Sequence, residues 1–102
     1  MIKILNMREH KPEKDCDVRV DRRTILGNPF YMNDESQRDK VCDKYDAYFA
    51  KQLCENAEFA EEVERIITLY QTYGELNLFC WCFPKRCHAE TVRRYVIQQL
   101  GQ

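Results

Sequence analysis

The stretch that most constrains this chain is Leu76 to Phe83, Leu-Asn-Leu-Phe-Cys-Trp-Cys-Phe. It is almost continuously apolar, too short for a helix, and bounded by Gly74 and Pro84. A run of that kind reads as a strand covered on both faces, which is typical of a parallel sheet in an α/β fold. The remaining residues must then supply the other strands and the helices that cover them.

The rest of the chain has patterns that do so. Residues 2–7 read as a first strand and residues 18–20 as a short second one. The segment 9–17 is polar, contains Pro12 and reads as a loop. Ser36 followed by Asp39 resembles a capping box, and Val41, Tyr45, Tyr48, Phe49 and Leu53 recur at helical spacing behind it. Together they predict a helix over 37–54. Asn56 can cap a second helix, whose apolar face is Phe59, Val63, Ile66, Ile67 and Tyr70 and whose end is Gly74. Val92, Tyr95, Val96 and Leu100 give a last helix from about residue 88. The expected fold is α/β, a small three-layer sandwich with a mostly parallel short sheet and about three helices, in a single domain over residues 1–102.

Topology then points to a site. Helices between the first strand and the Leu76–Phe83 strand allow the two to lie parallel. Ligands in such sheets sit beyond the carboxyl ends of the strands. Two loops lie there: Phe83-Pro84-Lys85-Arg86-Cys87-His88, and the segment from Arg22 to Phe30, punctuated by Gly27, Asn28 and Pro29. Parallel strands would open both loops at one edge.

Composition narrows the partners. Lys plus Arg number 16 and Asp plus Glu 17, for a net charge of −1. A general nucleic-acid binder draws its affinity from uncompensated basic charge, so that class is disfavoured. No stretch approaches the ~20 apolar residues of a membrane-spanning helix. The start of the chain is too short for a signal-peptide core, so the expected location is the cytoplasm, where thiols stay reduced.

Six cysteines in 102 residues are the unusual feature. Cys16, Cys42 and Cys54 stand apart and read as inert thiols, whereas Cys80, Cys82 and Cys87 fall with His88 in nine residues. Three readings of that cluster compete. The first takes Cys80, Cys82, Cys87 and His88 as a zinc tetrahedron, whose ligand types fit better than their spacing. The second puts Cys87 at a helix start, where the dipole, Lys85, Arg86 and a protonated His88 would lower its pKa. Arg22, Arg23, Asn28 and Arg38 could then hold an anionic or nucleotide-like ligand beside it. If the chain is an enzyme, Cys87 is the nucleophile and His88 the proton carrier. The third makes the cysteines small buried hydrophobes. Trp81 and Phe79 read as core.

These elements together resemble a known family. Leu26-Gly27-Asn28-Pro29-Phe30, Arg38 at a helix head, and Cys80-Trp81-Cys82-x-Pro84-x-x-Cys87-His88 are similar to the bacteriophage and bacterial family known as domain of unknown function 4326. The resemblance runs from about Ile2 to Leu100 and implies an α/β domain from a phage or bacterium, without an activity. Its motif residues fall on Arg23, Gly27, Asn28, Pro29, Arg38, Cys80, Cys82, Pro84, Cys87 and His88. Where relatives read like Tyr-Ile-Gly-Arg, this chain has Val20-Asp21-Arg22-Arg23, so Arg22 and Arg23 both qualify as the motif arginine. Two function classes stand open. One is a pocket that binds or transforms a small anion. The other is a non-enzymatic phage accessory protein that binds a host protein, with its cysteines structural or zinc-bound.

Overall fold

The computed structural model describes residues 1–101. Three strands, β1 (Ile2–Asn6), β2 (Asp17–Arg19) and β3 (Leu76–Cys80), form one parallel sheet in the order β1-β3-β2. Ile4 pairs with Leu78 on one side, and Val18 pairs with Leu78 on the other. The apolar run therefore becomes the central strand, and Leu76, Leu78, Phe79 and Cys80 are all buried. It is shorter than expected. The strand stops at Cys80, because Asn6 Nδ2 donates to the carbonyls of Trp81 and Phe83 and turns the chain aside. Trp81 and Cys82 thus leave the sheet.

Three helices complete the fold: α1 (Arg38–Glu55), α2 (Ala57–Tyr73) and α3 (Ala89–Gln99). Asn56 caps α2 as expected, its side chain accepting from the N–H groups of Glu58 and Phe59. Gly74 ends α2 at φ 72°, a left-handed conformation that glycine adopts without steric cost. The start of α1 differs from the expected capping box. Asp34 accepts from Ser36 N–H and caps a single 3-10 turn, Glu35–Gln37, which feeds directly into α1.

Side chains alternate across a strand, so Ile4, Val18, Leu76, Leu78 and Cys80 share one face. They form a single apolar cluster with Tyr45 and Phe49 of α1, Phe59, Val63 and Ile66 of α2, and Val92 and Val96 of α3. The α/β fold is thus lopsided. All three helices join the core on that face, while on the other Phe79 is buried but Lys3, Asn77 and Arg19 stay at least partly exposed. No helix among the described residues is long and apolar enough to cross a membrane.

Candidate functional site

A cavity of about 290 Å³ opens beyond the carboxyl ends of β2 and β3, between the starts of α1 and α3. Parallel sheets place ligands in that position. Arg22, Arg23, Asn28, Arg38, Cys87 and His88 all line it, and so does Cys82. Five residues not assigned to a site from the sequence also line it: Asp21, Met32, Val41, Cys42 and Trp81.

The 21–30 loop forms one wall, and its shape depends on two residues. Gly27 packs directly on the backbone of residue 22, and a Cβ there would lie 2.5 Å from Arg22 Cα. Only glycine permits that approach. Arg22 then braces the loop from within, donating to the carbonyls of Asn28 and Phe30 and stacking over the Tyr31 ring at 4.4 Å. The two adjacent arginines therefore have different tasks. Arg22 is committed to the loop, whereas Arg23 forms no ion pair or hydrogen bond among the described residues. Asn28 is buried, and its Oδ1 accepts from Phe30 N–H at 2.9 Å. Its Nδ2 donor has no partner among the described residues and keeps some accessible surface, and the residue lines the cavity.

Trp81 supplies a second wall. It is 48% exposed and so is not core, contrary to the expectation from the apolar run. Its indole N–H donates to Asp21 Oδ2 at 3.2 Å, and the same carboxylate takes both Nε and Nη2 of Arg19. Burial alone would raise the Asp21 pKa, but Arg19 and the indole N–H outweigh it and hold the carboxyl below its usual range. A charged anchor thereby fixes the orientation of the ring.

The rim contains the cations that sequence proximity assigned to Cys87. Arg38 lies beside Cys82, donates from Nε and Nη2 to both oxygens of Glu35, and donates from Nη1 to the Arg86 carbonyl at 2.9 Å. Lys85 also reaches Glu35, at 3.2 Å. Those two donors, Arg38 first, hold the Glu35 carboxyl at about 2. Arg86 points to Asp39 and Asp43 of α1, at 3.1 and 2.9 Å. These carboxylates draw the positive charge outward.

The floor is built differently. Cys87 precedes α3, and its sulfur lies 3.2 Å from that of Cys80, the last residue of β3. Both thiols are buried and free. The expected activation of Cys87 is not found. The neighbouring Cys80 sulfur, followed by burial, pushes the Cys87 thiol up. Cys80 is the sulfur held low: it receives the Cys87 S–H and the backbone N–H groups of Phe83 and Cys82. His88 is also unlike the expected cation. Its Nε2–H donates to the Val20 carbonyl, and burial lowers its pKa, so the ring is neutral. It makes no helix cap, which leaves Nδ1 as an acceptor with no partner among the described residues and some accessible surface. The Tyr45 ring packs against it with centroids 5.0 Å apart, and the Tyr45 hydroxyl donates to the Leu26 carbonyl at 2.6 Å.

The four residues of the zinc reading do not converge. Cys80 meets Cys87, but His88 is turned to Val20, and Cys82 lies beside Arg38 outside the sheet. No group of three or more His, Cys, Asp or Glu among the described residues is arranged to hold a metal. Cys16 is buried with its thiol on Glu75, and Cys54 is exposed.

No curated protein and no solved structure matches this chain. One family does, over residues 5–98: the chain belongs to the family described as Domain of unknown function (DUF4326).

Proposed function

We propose that the cavity binds a small ring-bearing anion of nucleotide type, with Arg23 and Asn28 holding the anion and Trp81 stacking on the ring. The observation that carries this reading is Arg23, which lines the cavity with no side-chain partner among the described residues, two residues from Asp21 of the anchored Trp81–Asp21 pair. Of the four arginines that line the same space, Arg38 and Arg86 are paired with carboxylates whereas Arg22 and Arg23 are not, and Asp21 is paired with Arg19, so the uncompensated charge favours an anion. Guanidinium and amide donors suit phosphate or carboxylate oxygens, and an aromatic face suits any base. A volume of about 290 Å³ is at the lower end for ligand pockets, which favours a mononucleotide over a dinucleotide. At the floor, neutral His88 offers Nδ1 as a proton or hydrogen-bond acceptor. The motif resemblance supports a phage or bacterial source and a reducing cytoplasm, where the six thiols stay reduced.

Trp81 is the sole tryptophan, so its fluorescence reports on the cavity directly. Titration with nucleoside monophosphates should change that signal saturably, and nucleosides or inorganic phosphate alone should bind more weakly. A flat response to every mononucleotide tested would overturn the proposal. So would equal affinity for nucleoside and nucleotide, which would leave Arg23 without a role.

A further inference from the structure

We infer that Cys80 and Cys87 are a redox-active dithiol, which closes reversibly to a disulfide when a small peroxide enters the cavity. The sulfurs already face each other at 3.2 Å, and both residues sit where the backbone is fixed: Cys80 at the end of the central strand, Cys87 at the start of α3. A disulfide needs sulfurs at about 2 Å, so closure asks for an approach of only about 1 Å. Access is one-sided. Cys87 lines the cavity, whereas Cys80 is fully buried beneath it. The pair is thus arranged as an attacking sulfur with a resolving sulfur behind it. The donors around Cys80 make it the more acidic sulfur, so access and not acidity makes Cys87 the attacking one. Cys87 must give its proton to the Cys80 thiolate as it attacks.

The chemistry balances with hydrogen peroxide as oxidant. Cys87 passes its proton to Cys80 and attacks one peroxide oxygen. The O–O bond breaks, leaving a sulfenic acid on Cys87 and a hydroxide that removes the proton from Cys80. The Cys80 thiolate then attacks the Cys87 sulfur, the S–S bond forms, the S–O bond breaks, and the second hydroxide takes up from solvent the proton that Cys80 released on ionising and leaves as water. Two thiols lose two electrons and two protons, and one peroxide becomes two waters. A cytoplasmic disulfide of this kind is expected to be transient and redox-sensing, since the compartment reduces it again. The inference does not depend on what the cavity binds.

The test uses the full-length reduced protein and hydrogen peroxide. Mass spectrometry should show a loss of about 2 Da, reversed by dithiothreitol. Alkylation after denaturation should fall from six modified cysteines to four. Cleavage after Lys85 and Arg86 separates Cys87 from the peptide that carries Cys80 and Cys82, and fragmentation then assigns the linked sulfur to Cys80. Cys82→Ser should still form the bond, whereas Cys80→Ser and Cys87→Ser should not. A bond from Cys87 to Cys82 would overturn the inference. So would six thiols that survive peroxide, or oxidation that stops at exposed Cys54. Because these readouts are made on the wild-type chain, a cysteine variant that fails to fold does not blunt them.

Discussion

At the rim of the cavity, Arg38, Lys85 and Arg86 are tied to Glu35, Asp39 and Asp43, all at or near the start of α1. At the floor, Tyr45, Cys80, Cys87 and His88 are partnered by one another and by backbone groups, with no arginine or lysine bonded to them. Both regions draw on the same two stretches of sequence, 35–45 and 80–88, yet they obey different energetics. Exposed ion pairs contribute little because water screens them and long side chains lose entropy. Buried hydrogen bonds and close packing contribute much more, because removing one partner leaves a cavity or an unsatisfied group. The contrast also shows that a cation beside Cys87 in sequence need not be beside it in space. Lys85 and Arg86 closely precede the cysteine and are still directed to the turn before α1 and to α1 itself.

The comparison can be broken first at the floor. Tyr45→Ala should cost about 3–5 kcal/mol in urea unfolding, since a fully buried aromatic is lost. Tyr45→Phe should cost about 1–2 kcal/mol, because the Leu26 carbonyl loses its donor. A cost as small as that of a surface change would mean that the floor is not the packed region described here. Gly27→Ala should come next, at about 1–3 kcal/mol, as the backbone at residue 22 is pushed away.

His88 sharpens the contrast through pH. Its folded pKa lies below the ordinary 6.5, so the folded chain binds fewer protons there than the unfolded one. Its contribution to stability is complete above about pH 6.5 and is lost as pH falls through the folded pKa. The unfolding midpoint should therefore drop between about pH 7 and pH 5, and His88→Gln should flatten that slope. A slope unchanged in the variant would mean that the ring is not buried neutral. The smallest effect belongs to the rim. Arg86→Ala should cost less than about 1 kcal/mol in urea unfolding, and less again at high salt. A loss above about 2 kcal/mol would erase the distinction between the two regions.

The legible parts of the chain were those that local chemistry determines. The apolar run became the central strand, Asn56 and Gly74 bracket α2, and the two strand-end loops open together because the strands are parallel. Three features depended on contacts that only the folded chain makes, and the residue pattern alone did not give them. Trp81 leaves the core because Asn6 captures the Trp81 and Phe83 carbonyls and Asp21 holds the indole. Cys80 and Cys82 do not share a strand face because the strand ends between them. Arg22 and Arg23 look alike in sequence, and only the Asn28 and Phe30 carbonyls single out Arg22 as the brace. A sequence signal for the first of these did exist: Pro84 closely follows the run and marks an irregular exit.

The assignment of Arg23 as the cation that meets the ligand is tested most directly by Trp81 fluorescence titration of three proteins with one nucleoside monophosphate. The proteins are wild type, Arg23→Ala, and Arg65→Ala, which removes the same charge on α2, where Arg65 pairs with Glu62. A charge-assisted hydrogen bond is worth about 1.5–3 kcal/mol, so Arg23→Ala should weaken binding about 10- to 100-fold. Arg65→Ala should leave it within about twofold, as expected for a remote, screened charge. Equal weakening in both variants would reduce the effect to net charge, and unchanged affinity in Arg23→Ala would contradict the assignment outright.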